Sequence, residues 1–178
     1  MNFRQKLADF VLGNRTISLH PDIALTGMNE QLESESLVIL AGMNEQDNSF
    51  ELDQYFQQML SELQIKLPTK MEAANILLNY FMTQMVAEPT RAYELMTAIQ
   101  NNVYYAIKWP ESNSENQYMG HELGLEKLYT WYRELQDFNA GSMLLYYNEL
   151  PRHKQKMKFE EHLVKEAQNW LNAGKTYT

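Results

Sequence analysis

Three observations predict an all-α fold, an irregular bundle of about six to eight helices. Apolar residues recur at helical spacing along nearly the whole chain. No run alternates apolar and polar residues between hairpin turns. Seven glycines and five prolines fall between the periodic stretches rather than within them. With 178 residues, 44% of them hydrophobic, the chain fits one compact domain, or at most two small ones. The expectation is a single helical domain over 1–178.

Phe3, Leu7, Phe10 and Val11 stand at i, i+4, i+7 and i+8, and Gly13 follows as the cap of a first helix. Pro21 suits the first position of a second helix, which Gly27 is expected to stop. The apolar 37–41 stretch reads as a short helix from Ser34 stopped by Gly42, with a strand of Leu37-Val38-Ile39-Leu40 as the lesser alternative. The pentapeptide Gly27-Met28-Asn29-Glu30-Gln31 recurs as Gly42-Met43-Asn44-Glu45-Gln46. It reads as two similar helix-stop turns, each with a left-handed glycine. A stripe of Phe50, Tyr55, Phe56, Met59, Leu60 and Leu63 predicts a helix over about 49–63.

Thr69-Lys70-Met71-Glu72 is a capping box. The helix it opens, near 69–86, is apolar on almost every side and is expected to be the buried centre. Pro89 starts another helix with Ala92, Leu95, Met96, Ile99, Val103 and Ile107 inward, closed by Trp109 and Pro110. The polar stretch 111–117 is the main loop. A helix over 123–138 follows, Gly141 interrupts before the apolar 143–147, and Pro151 opens the last helix. Its inner face is Phe159, Leu163, Ala167, Trp170 and Leu171, with Glu161 and Lys165 placed for an i,i+4 ion pair.

Charge is distributed unevenly. Net charge is −8, yet the 50 residues between Arg15 and Lys66 contain no lysine or arginine and carry Asp22, Glu30, Glu33, Glu35, Glu45, Asp47, Glu51, Asp53 and Glu62. That stretch alone is −9, so the rest sums to about +1 by subtraction. Arg152, His153, Lys154, Lys156 and Lys158 make a basic run, read as a solvated helix start. The acidic half repels phosphates and argues against nucleic acid as a partner. It is either a solubilising surface or a docking face for a basic protein.

Several chemistries lack their residues. The absence of cysteine removes thiol nucleophiles, thiolate metal sites and disulfides. Neither a G-x-S-x-G elbow nor a Walker or dinucleotide-binding glycine loop occurs. His20, His121, His153 and His162 lack the spacing of zinc or diiron helices. His162 and Glu166 share a helix face, whereas the adjacent His121 and Glu122 point about 100° apart and cannot serve one site. The scattered acids lack a calcium-loop pattern. No enzyme activity, metal or cofactor is therefore expected. The uncharged 73–87 stretch contains Asn75, Asn79, Thr83 and Gln84 and is shorter than the roughly 20 apolar residues a membrane span requires. The basic start of the chain lacks a long apolar run, so the expected setting is the cytoplasm, without membrane association.

Aromatics and methionines at helical spacing read as core. The doublets Tyr104-Tyr105 and Tyr146-Tyr147 cannot each bury both rings on one helical face, so a ring of each pair is expected at the surface. Tyr80, Phe81, Trp131 and Tyr132 are the candidates for an apolar ligand pocket.

The run Leu40-Ala41-Gly42, followed after a spacer by Glu62-Leu63-Gln64-Ile65-Lys66-Leu67-Pro68 and a long apolar helix, resembles a pattern found in small bacterial all-helical proteins. The resemblance covers about 19–87. It implies an all-helical fold and supplies no catalytic residue. Some acidic proteins of this kind are immunity proteins that neutralise a toxin. The reading that follows is a non-enzymatic protein-binding module, in concrete form an immunity-like inhibitor. Glu30, Glu33, Glu35, Glu45, Asp47, Glu51 and Asp53 would meet the basic site of its partner. The alternative is a small-ligand-binding protein using the aromatic pocket, and a homodimer packing aromatic faces stays open.

Overall fold

The computed structural model describes residues 1–13, 16–107 and 120–174. Among them are eight α-helices and no strand: α1 (Phe3–Leu12), α2 (His20–Asn29), α3 (Glu35–Ala41), α4 (Ser49–Glu62), α5 (Lys70–Ala87), α6 (Ala92–Ala98), α7 (Glu126–Ala140) and α8 (Arg152–Gly174). The all-α class is as the periodicity predicts. Backbone contacts group the chain into two compact units, Met1–Leu77 and Leu78–Thr178, the division falling inside α5. Trp109, Pro110 and the predicted loop 111–117 lie outside the described residues.

In the first unit, α2 packs on α1, α3 and α4, and α3 packs on α4. Phe3, Leu7, Phe10, Ile23, Leu37, Leu40, Leu52 and Phe56 are buried. Asn2 and Gln5 form a reciprocal capping box at the start of α1. Gly27 does not stop α2. It lies buried inside that helix, where an added Cβ would come within 3.0 Å of Leu37 Cδ1 and Phe3 Cδ2. Its missing side chain lets three helices approach. Gln31 takes the left-handed turn position instead, at φ 65°. Its N–H donates to Met28 C=O at 2.9 Å and that of Leu32 to Gly27 C=O at 3.0 Å, the two bonds of a Schellman end. Gln64 (φ 55°) ends α4 in the same way. Gly42 caps α3 with ordinary right-handed angles, so the repeated pentapeptide is not a repeated turn.

Phe50, placed on the buried stripe by its spacing, is 85% exposed, while Leu52 is buried. The true inner face of α4 is Leu52, Phe56, Met59 and Leu60. In α5 the predicted capping box forms, with Thr69 N–H donating to the Glu72 carboxylate at 2.7 Å. The helix is not buried all round. Ala73, Ala74, Leu77, Leu78, Phe81, Met82 and Met85 are buried, but Met71, Asn75, Asn79 and Thr83 form an exposed i+4 row.

In the second unit α7 packs on α8 and α6 on both. Proline at Pro89 opens a 3₁₀ turn rather than α-helix, and after α6 the chain winds as a π-helix over Ile99–Tyr104. The predicted face survives this change, because Leu95, Met96, Ile99 and Val103 all remain buried. His121 and Glu122 sit in a 3₁₀ turn between two left-handed glycines, Gly120 and Gly124. Gly141 at φ 73° ends α7. Trp170, on the predicted inner face of α8, donates its indole N–H to Leu123 C=O at 2.9 Å. Glu161 pairs with Lys158 at 2.7 Å, not with Lys165.

Candidate functional site

The acidic half becomes a surface through the turn joining α2 to α3. Once the Schellman end has closed α2, Ser34 caps α3 by accepting from Leu37 N–H at 3.2 Å. The chain reverses within a few residues and leaves a groove of about 700 Å³ between the helices. Met28, Leu32 and Val38 supply its apolar lining, and Glu33 and Glu35 its carboxylates. A more polar groove of about 440 Å³ lies beside it between α3 and α4, lined in part by Glu35, Tyr55, Gln58 and Glu62.

The seven predicted partner-binding acids differ in what their carboxylates contact. Glu33 and Glu35 flank the groove, and both are exposed. Glu30 turns to α1, where its carboxylate accepts from Phe3 N–H. This places negative charge at a helix N-terminus, where it is favoured. Asp47 closes its own turn by accepting from Asn44 N–H at 2.8 Å, with Glu45 exposed beside it. Glu51 and Asp53 are exposed on α4, and Asp53 takes the Gln57 amide at 3.4 Å.

Glu62 is held more firmly than any of these. It accepts from Ser36 Oγ at 2.7 Å and Ser36 N–H at 3.0 Å. Those bonds, and one from Ser34, hold its pKa below the ordinary glutamate value. Sequence reasoning missed the apolar half of the groove. The signal was present in the four consecutive apolar residues 37–40, since a helix of seven residues cannot turn all four inward; Val38 and Ile39 are exposed.

The four residues proposed as a ligand pocket make separate contacts. Tyr80 and Phe81 pack edge to face on each other, with centroids 5.2 Å apart. Tyr132 packs against Tyr93 at 5.3 Å and shares a hydrogen bond of 2.9 Å with Thr97 Oγ1. Trp131, the next residue on the helix, stacks on His162 at 3.8 Å with 7° between the planes. None of the four lines the grooves of about 560 and 500 Å³ in the second unit, of which the first is the more apolar and is lined by Val86, Pro89, Met157 and Val164 among others.

The histidines are equally occupied with structure. His162 Nε2 shares a hydrogen bond with Tyr147 Oη at 2.6 Å rather than pairing with Glu166. Burial and the nearby Lys165 and Lys158 lower its pKa. His121 meets Glu126, five residues on. His20 is fully buried, stacked on Phe56 at 3.8 Å, and its Nδ1–H donates to Leu52 C=O at 3.3 Å. Its Nε2 has no partner, and burial drives its pKa down. Among the described residues no group of three His, Asp or Glu is arranged to hold a metal, and no helix is long and apolar enough to cross a membrane. No protein-family model, curated protein or solved structure matches the chain.

Proposed function

We propose that this chain is a non-enzymatic protein-binding module that docks a basic partner at the groove between α2 and α3, in concrete form an immunity-like inhibitor acting by occlusion. One observation carries the reading: an apolar lining of Met28, Leu32 and Val38 flanked by Glu33 and Glu35, inside 50 residues that contain no lysine or arginine. Apolar anchors give binding energy and the surrounding carboxylates select a basic partner and speed encounter.

The test is capture from a lysate of the source organism with the tagged chain, washed at two salt concentrations. A near-stoichiometric basic protein is expected at low ionic strength and lost at high. The same protein should be absent when the bait carries Glu33→Lys, Glu35→Lys and Glu45→Lys. Retention unchanged by that triple substitution, in affinity and in rate, would sink the reading.

A further inference from the structure

The second unit holds a surface of the opposite kind. In the loop 142–150 between α7 and α8, Met143 is 89% and Leu145 78% exposed, and Tyr146 is 44% exposed beside them. Exposed apolar tips usually lie on mobile chain, but this loop is tied down. The buried carboxylate of Glu134 accepts from Leu145 N–H at 3.0 Å and Tyr146 N–H at 3.3 Å. Leu144 is buried as a plug, and Asn148 Nδ2 donates to its carbonyl. The buried Gln155 amide donates to Tyr147 C=O at 3.0 Å. Tyr147 itself sits at φ 60°, away from any helix end, with its hydroxyl on His162. Side-chain bonds thus hold a strained backbone that presents apolar residues to solvent, a preorganised arrangement in which little ordering entropy is left to lose on binding.

The chemistry of the occupant follows from the charge beside the loop. Arg152 lies over the Phe138 ring at 4.4 Å and donates to Phe138 C=O, which pins it at the foot of the loop. His153 and Lys154 are exposed next to it. These cations stand at the N-terminal end of α8, whose own dipole adds to their field. Glu149 offsets part of it, and Lys156 is drawn to Glu160 at 3.6 Å. The complement of an apolar tip with cations beside it is an apolar groove with acids beside it, which is the α2–α3 groove of this same chain.

We infer that the partner at that groove is a second copy: Met143, Leu145 and Tyr146 of one molecule enter the Met28, Leu32 and Val38 groove of another, with Arg152 and Lys154 facing Glu33 and Glu35. This rests on the groove of the docking reading above but puts in it the locally basic end of a second copy, a chain of net charge −8, in place of a basic protein. Each copy carries one loop and one groove, so the contact either closes as an isologous pair, each loop in the other's groove, or runs head to tail as a heterologous assembly.

Sedimentation velocity of the full chain, at about 1 to 100 μM and at low and physiological ionic strength, tests it. The expected result is concentration-dependent association that weakens about tenfold or more across that salt range. M143D/L145D and E33K/E35K should each be monomeric, and all four positions are exposed, so helix content by circular dichroism should not change. Mixing the two variants restores one intact loop and one intact groove, and should yield a one-to-one complex. A wild-type chain that stays monomeric throughout, or association that survives both variants, overturns the inference. A monomeric chain that still captures a basic protein through Glu33 and Glu35 removes only the second copy as occupant and leaves the docking reading in place.

Discussion

His20 shows what a single residue contributes when burial decides its protonation. Its ring is enclosed by Phe10 and Phe56, with Asp53 as the charged neighbour that partly offsets the loss of solvent. Because the folded pKa lies below the ordinary 6.5, the unfolded chain takes up the proton first. The stability this provides is complete above that value and is lost as pH falls from it toward the folded pKa. Asp9, whose pKa burial raises above 3.8, works in a lower window and in the opposite sense. Urea midpoints measured from pH 8 to pH 5, below the unperturbed histidine value of about 6.5, should therefore decline in the wild type. His20→Asn keeps a donor for Leu52 and cannot titrate, so it should be less stable overall but flatter across that window. An unchanged slope in the variant would place the proton uptake elsewhere. The helical spacing put Phe10 and Phe56 inward, yet nothing in it marks His20 as the ring between them.

At the scale of elements, helix ends are where local sequence was least informative. A glycine after an apolar run reads as a stop signal, and Gly42 and Gly141 do end their helices. Gly27 looks identical in sequence but serves packing, with Phe3 and Leu37 close to where a Cβ would stand. Gly27→Ala should be net destabilising by about 1 kcal/mol, because overpacking two buried neighbours costs roughly 1–3 kcal/mol and the helix propensity that alanine gains returns about 1. Chemical denaturation measures this directly, and a neutral alanine would show that the three-helix approach is looser than 3.0 Å implies. In the first unit the left-handed ends fell instead to Gln31 and Gln64, residues with no intrinsic preference for that conformation. Phe50 and Leu52 make the same point on α4: both fit a helical stripe of some phase, and only contact with α2 and α3 selects the one that buries Leu52.

For the molecule as a whole, regional charge is the property with the widest reach. Nine carboxylates without a lysine or arginine across 50 residues repel one another, and the described cation contact to this stretch is Lys6 with Asp22. Added salt screens that repulsion over distances beyond about 10 Å. The thermal midpoint of the monomeric chain at pH 7 should thus rise between low and physiological ionic strength, while any docking through Glu33 and Glu35 weakens over the same range. A midpoint that falls with salt would mean that surface ion pairs, such as those of Arg91 with Glu88 and Glu94, outweigh the repulsion. Opposite salt responses in stability and in binding separate a solubilising surface from a docking face.

Helical class, most helix positions, the capping box at Thr69 and the concentration of net negative charge between Arg15 and Lys66 all follow from sequence, since each depends on residues within one or two turns of each other or on composition. The surface placement of one ring in each tyrosine doublet was legible for the same reason, and Tyr105 and Tyr146 are the exposed members. Tertiary structure alone decided which acids flank a groove and which are occupied. Glu30 lies 27 residues from the amide it caps, and Glu62 lies 26 from Ser36. It also decided that Met143 and Leu145 are held out in solvent while Leu144 between them is buried. Helical periodicity carries no information about a contact between residues far apart in the chain, and those contacts are what turn scattered acids and apolar residues into surfaces.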